Sequence, residues 1–408
     1  MDDNLILPQL RQDLLYQEFE VEGMKMFILY DPKEYALQPI ELPIEFLPLL
    51  QMFDGKTPIN TLFDELDKNI KSEQNHEPII QLIEVLDILG YLDTVKFHAI
   101  KKDIDEYLAN PVRPPVCAGN SYPKEPDVLR FELDALLNST SPNGIRSGAK
   151  AIVVPHIDFR IGSIAHEAYS AGYQAIRETD ADLFVIFGTA HYGNSDLFMF
   201  SRKDFATPFG IVKNDTEFLD DLFKVLPYKP VIDELTHRNE HSIELQLVLL
   251  QHLFADRDFK ILPILTGSFF NYINENKNPG DDVKFSQFIT NLKSIIEKNN
   301  KKAVFIASAD LAHIGRKFDD KFDAEPELQQ LEKEDKQLIE KLEGLDTDGF
   351  FSLISANGDS RKICGLSPIY TLLKIANPKK AQFLKYYQWN ETETKSAVSF
   401  ASLSFYNS

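Results

Sequence analysis

The spacing of apolar positions changes character along the chain. "YQEFEVEGMKMFILYD" (16–31) alternates and predicts a short hairpin or strand pair. "PIEFLPLLQMFD" then repeats at helical spacing up to Gly55. "TPINTLFDELDKN" predicts a second helix, with Thr57 as its cap and Pro58 in its first turn. "EPIIQLIEVLDILGYLDT" predicts a third, stopped by Gly90 and followed by a strand-like tail. Three short helices and a β-wing describe a small α+β, winged-helix-like domain over residues 1–95. "NPVRPPVCAGNSYPKEP" (110–126) carries five prolines, so residues 96–126 read as linker and domain entry.

From about Arg113 the pattern becomes continuous apolar runs separated by amphipathic stretches. "KAIVVP", "DLFVIFG", "FKILPIL" and "KAVFIAS" read as strands buried on both faces. "IAHEAYSAGYQAIRE", "TEFLDDLFKVL", "SIELQLVLLQHLF" and "FSQFITNLKSIIEKN" read as the helices between them. "AQFLKYYQW" and "SAVSFASLSFY" close the chain as strands. The expected class is α/β: a mixed sheet flanked by helices over residues 113–408, preceded by the small N-terminal domain.

Composition narrows the classes of function. Acidic residues outnumber basic ones 63 to 43, a net charge of −20, and no basic run exceeds two residues. Such a chain repels phosphate backbones and acidic membrane surfaces, so no nucleic acid and no membrane is expected as a partner. No apolar stretch approaches a membrane span, and two cysteines (Cys117 and Cys364) cannot build a disulfide framework. A cytoplasmic protein is the expectation.

Three strands end alike. "AIVVP" delivers His156 and Asp158, "DLFVIFGTA" delivers His191, and "KAVFIASAD" delivers Asp310 with His313 three residues on. Carboxyl ends of parallel strands share one edge of a sheet, so these groups converge. Imidazole clusters suit zinc, copper, iron or nickel, with Asp158, Asp310, Glu240, Glu244 or Cys364 completing the ligand set. Cys364 precedes a helix expected near Ser367 and follows Arg361 and Lys362, surroundings that favour a thiolate. In "HRNEHSIELQ", the pairs Glu240/Glu244 and His237/His241 share a helix face if the helix starts early enough. There they would orient ligands.

The motifs "AGNSYPKEPDVLRFELDALL", "VPHIDFRIGSIAHEAY", "FGTAHY", "NEHSIELQL", "ILPILTG", "ASADLAHIGRKF", "KICGLSPI" and "SAVSFASLSF" occur in the order seen in the Memo family. The resemblance spans about 113–406. It implies a fold similar to class III extradiol dioxygenases, and a metal held by two histidines and a thiolate: His156, His191 and Cys364. It also implies that His313 is the acid–base histidine, with Asp310 in the same motif and Glu240, His241 and Glu244 on the acidic–histidine helix. The sequence departs from the family pattern at Cys117 and Ser121, which stand where histidine and tryptophan are usual, and at "HIDF" in place of "HAGY". The added Asp158 is then a hydrogen-bond acceptor beside the ligands or a fourth ligand, and Cys117 a second thiol near the pocket.

The first domain looks like the small peptide-binding chaperone of pyrroloquinoline quinone synthesis. Modules related to that chaperone hold peptides for radical-SAM enzymes. The Memo resemblance implies a radical-SAM protein and an AMMECR-type protein as partners, and the first domain's resemblance implies a peptide or protein at the N-terminal module. Three functions stay open: a redox protein using iron(II) or copper, a peptide- or protein-binding module using the same pocket, and a zinc-dependent hydrolase.

Overall fold

The computed structural model describes residues 5–69, 76–192 and 196–407. The chain divides into two compact units, Met1–Asn110 and Pro111–Ser408.

The first unit begins with an antiparallel sheet of β1 (Leu15–Val21), β2 (Met24–Tyr30) and β3 (Ile40–Pro43). Glu22 and Gly23, both at positive φ, make the two-residue turn between β1 and β2. The stretch expected as the first helix forms only short turns, Ile44–Phe46 and Leu47–Leu50. Then follow α1 (Ile59–Asn69), α2 (Glu77–Ile88) and α3 (Val95–Ala109). The helix α1 starts one residue beyond the proline expected in its first turn. The strand-like tail expected after Gly90 is instead the helix α3, which buries Phe97, Ile104 and Tyr107 at helical spacing. It belongs to the first compact unit, where the sequence suggested a linker. Phe27, Leu29, Leu50, Leu62, Leu86 and Tyr91 form this unit's core.

In the second unit, α4 (Pro126–Leu137) precedes β4 (Ala151–Val154), α5 (Ser163–Ile176) and β5 (Leu183–Thr189). After them come α6 (Thr216–Val225), α7 (His241–Leu253), β6 (Lys260–Thr266), α8 (Val283–Lys298) and β7 (Ala303–Ser308). The chain closes with α9 (Leu328–Glu343), α10 (Leu366–Ala376), β8 (Lys380–Glu391) and β9 (Ser396–Tyr406). The centre of a 12-stranded mixed sheet runs β9-β4-β7-β5-β6, its last four strands parallel. Short strands extend it beyond β6, and β8 pairs with β9 as an antiparallel hairpin.

Alternate residues of each central strand enter opposite cores. Val153, Val185 and Phe187 pack on one side, and Ile152, Val154, Phe184 and Ile186 on the other. Both faces are therefore dry, which explains unbroken apolar runs. Gly172 lets α5 lie close on β4, because a Cβ there would meet Val154 Cγ1 at 2.2 Å. Among the described residues no helix is long and apolar enough to cross a membrane.

One ion pair sits wholly inside this unit. Arg113, fully buried, donates to the Glu244 carboxylate at 2.5 Å and to the carbonyls of His237 and Glu240. Glu244 also accepts from the backbone of Val116 and Cys117 and from the Tyr122 hydroxyl. The proline-rich entry segment is thereby tied to the first turn of α7.

His237 is also buried, with Nε2 on the Met199 carbonyl, and burial pushes its pKa down to about 4. It is neutral in the fold and free to protonate in the unfolded chain. Its folded pKa is depressed, so this stabilisation is complete above the unfolded value and is lost as pH falls toward 4. From about pH 7.5 to about pH 5.5 the loss expected from this one group is about 1 kcal/mol. Urea unfolding at the two pH values checks it: His237→Gln should remove that share of the pH dependence. An unchanged dependence would assign it to other groups.

Candidate metal centre

The parallel strands end on one edge, and the chain turns there three times. Pro155 breaks β4 and sets His156 beside the end of β7. The backbone N–H of His156 donates to Asp310 Oδ1 at 3.1 Å, and its Nδ1 lies 2.9 Å from the Ser308 carbonyl. A carbonyl only accepts, so Nδ1 carries the proton and Nε2 keeps its lone pair. That Nε2 lies 3.4 Å from Cys364 Sγ and 3.6 Å from Asp310 Oδ2.

His191, two residues beyond β5, is fixed by one carboxylate. Glu240 accepts from the His191 backbone N–H at 3.0 Å and from its Nδ1 at 3.0 Å. The same carboxylate caps α7 through the Ser242 N–H, and His241 Nδ1 lies 3.2 Å from it. Burial pushes the Glu240 carboxyl upward, but its bonds and proximity to His191 outweigh that and hold it below its ordinary value. Burial likewise opposes protonation of His191, and Glu240 outweighs it, raising the imidazole. The rings of His191 and His241 stack at 4.8 Å, and His156 stands edge-on to both at 5.0 and 5.2 Å.

The third wall comes from β7 and the segment before α10. Thr189 Oγ1 donates to the Cys364 carbonyl at 3.0 Å, and the Gly365 N–H donates to the Asp310 carbonyl at 3.0 Å. Gly365 is a residue the sequence reading missed. A Cβ there would lie 2.3 Å from the Asp310 carbonyl oxygen and 3.0 Å from Ala309 Cβ, so only glycine lets Cys364 approach the strand end. Gln246 was missed as well. It is buried on α7 and donates to the Pro155 carbonyl and to Ser308 Oγ, bracing the ends of β4 and β7. Its signal was a lone amide inside the apolar run "LQLVLL".

Ligand atoms of His156, His191 and Cys364 all lie within 4.8 Å of one another, and so do those of His191, Glu240 and His241. The second set is a poor cradle, because Glu240 already accepts three hydrogen bonds. The first set fits a metal: both imidazoles have Nδ1 bonded to an acceptor, which leaves Nε2 for an ion.

The remaining residues sort by position. A cavity of about 950 Å³ is lined by His156, His191, His241, Asp310 and His313, with Asp158 at its edge. His313 Nδ1 faces the carbonyls of Leu311 and Lys362 at 3.2 and 3.1 Å, which assigns the lone pair to Nε2. Burial pushes its pKa down to about 4. Burial also raises Asp310, to about 7, against the backbone donors of His156 and Ile157.

Several expectations need correction. Neither Glu240/Glu244 nor His237/His241 shares a face of α7: His237 lies in the separate helix Glu234–Arg238, and Glu240 is the cap. Glu244 is spent on Arg113 and the entry segment. Asp158 accepts from Ser121 and Arg160, so its oxygens are engaged at the rim. Cys117 is buried near Glu244 and does not line the cavity. Burial, with the Asp310 carboxylate nearby, pushes the Cys364 thiol well above its ordinary pKa, and the cations expected to lower it turn away. Arg361 pairs with Asp335 and Glu334, and Lys362 with Asp320.

Comparison with known proteins agrees in extent with this unit. The Memo-like protein family model matches residues 113–404. A MEMO1 family protein of Aquifex aeolicus is 29% identical over 384 residues, covering 93% of this chain and 96% of that protein. Others from Methanosarcina barkeri (29% over 300 residues, 72% and 99% covered) and Methanosarcina mazei (30% over 281 residues, 67% and 91% covered) are similar. The Aquifex alignment is too long for the second unit alone, so it reaches into the first.

The close contact at Gly365 gives a test independent of any metal. Gly365→Ala should cost about 1–3 kcal/mol of stability, as overpacking does. It should also speed alkylation of Cys364, followed by peptide mass spectrometry. An unchanged labelling rate would mean that the segment does not hold the thiol in place.

Proposed function

The chain belongs to the Memo family, and on that premise we propose that its cavity is a redox metal centre. His156, His191 and Cys364 hold one soft first-row metal, iron(II) or copper. The observation that carries the reading is the pair of acceptors, the Ser308 carbonyl and Glu240, that engage both Nδ1 atoms and leave each Nε2 free, with that of His156 3.4 Å from the thiol. A thiolate beside two imidazoles favours iron or copper(I) over magnesium or calcium, and such a metal supplies electron transfer and open positions for a substrate.

The protein's own groups do the rest. His313 is neutral near pH 7 and presents Nε2 as a proton acceptor, while its Nδ1 is held by two carbonyls. Asp310 holds the His156 backbone and lines the cavity, where its carboxyl either keeps or gives up a proton near neutrality. His241, stacked on His191 and beside Glu240, orients a bound substrate. The dry cores behind the strand ends exclude water from all but the open side of the cavity.

Metal equivalents per folded chain, measured after anaerobic purification with spectroscopy of the bound ion, test the centre. Cys364→Ser replaces a thiolate by a poorly ionised hydroxyl and should lower iron or copper affinity by more than about 100-fold. Cys364→Asp should restore part of the iron(II) affinity, because it rebuilds a two-histidine, one-carboxylate set. His313→Ala should leave metal content near that of the unaltered protein. Normal loading of the serine variant would sink the ligand assignment, and a site that takes only zinc would sink the redox reading.

A further inference from the structure

The first unit's sheet has a free edge whose chemistry is specific. β1 pairs with β2 on one side, and among the described residues nothing pairs with its other side. The register divides its side chains. Glu18 stands opposite Phe27 and Tyr16 opposite Leu29, both buried, so Tyr16, Glu18 and Glu20 lie on the core-side face. Leu15, Gln17, Phe19 and Val21 lie on the other face, beside Tyr30, Ile28, Met26 and Met24. Apart from Gln17, that outer face is apolar and open: Leu15, Val21 and Met24 are 48%, 46% and 60% exposed. A sheet with one buried face ordinarily turns polar residues outward. On β1 this one turns out only Gln17.

The edge is also acidic. Glu18, Glu20 and Glu22 are exposed, and Lys25, opposite Glu20, is the one cation on β1 or β2. Glu18, Glu20 and Glu22 form no salt bridge among the described residues. A second copy of β1 laid against this edge has no cation to offer, so it would set glutamates against glutamates, which disfavours edge-to-edge dimers.

We propose that β1 is a docking edge for an extended segment of a partner protein that alternates basic and apolar residues. Such a strand completes the ladder with its main chain. Its lysines or arginines fall opposite Glu18 and Glu20, and its apolar residues fall beside Phe19 and Val21 on the outer face. The glutamates thus select the partner and keep neutral or acidic strands away.

The test uses the full chain and a blocked peptide of about eight residues alternating lysine and valine, a length that matches β1. A peptide of the same composition with its lysines and valines in two blocks keeps the charge and loses the period. The alternating peptide should bind, by fluorescence anisotropy, roughly tenfold or more tightly than the block peptide. It should also slow hydrogen exchange of amides within Leu15–Val21, and the doubly substituted Glu18→Lys, Glu20→Lys protein should lose about tenfold in affinity. Both side chains are exposed, and an unchanged circular dichroism spectrum would establish that this variant is folded. Equal affinity for the two peptides, no binding, or protection elsewhere in the chain would overturn the proposal. So would self-association through β1 in the unaltered protein.

Discussion

A carboxylate buried away from water persists only where donors surround it, and two of those that the second unit buries, Glu240 and Glu244, lie one helical turn apart. Glu240 is satisfied by the backbone and ring of His191 and by the first turn of α7, Glu244 by Arg113 and the entry segment. Each bond that makes burial tolerable also fixes a part of the cavity. His191 cannot turn without stranding Glu240, and the entry segment cannot lift without stranding Glu244. Electrostatic satisfaction and site geometry are the same requirement here, and the cavity's shape follows from it.

The sequence made the second unit legible because both sheet faces are covered. Strands buried on two sides read as unbroken apolar runs, and "AIVVP", "FVIFG", "KILPIL" and "AVFIAS" all became central strands. The strand ends were legible too, since parallel strands bring their carboxyl termini to one edge, and His156, His191, Asp310 and His313 all reach one cavity. In the first unit the patterns were weaker. α3 looked strand-like at its start because Val95 and Phe97 alternate, and what marks it as a helix is the burial of Phe97, Ile104 and Tyr107 at helical spacing, with Phe97 against Arg11 and Tyr35.

What stayed hidden was the environment of each polar group. Spacing alone placed Glu240 and Glu244 on one helix face, but the helix begins at His241, so one caps it and the other pairs inward. Neighbours in sequence suggested cations beside Cys364, yet Arg361 and Lys362 extend to carboxylates 26 and 42 residues away along the chain. The role of Gly365 rests on a contact with the Asp310 carbonyl, 55 residues earlier, which no local pattern encodes.

The entry segment shows how side-chain identity and position can separate. The resemblance read from the sequence sets Cys117 and Ser121 against an expected histidine and tryptophan, and such changes in a pocket wall ordinarily raise the question of whether the wall survives. Here the segment is held by main chain: Glu244 takes the N–H groups of Val116 and Cys117, and Gly119 and Tyr122 close a turn through backbone atoms. The one side chain that Glu244 needs from this turn is that of Tyr122. Ser121 adds a bond to Asp158. Ser121 and Asp158 therefore meet in the cavity wall. The proposed ligand set behind them is braced by Ser308, Glu240 and Gly365.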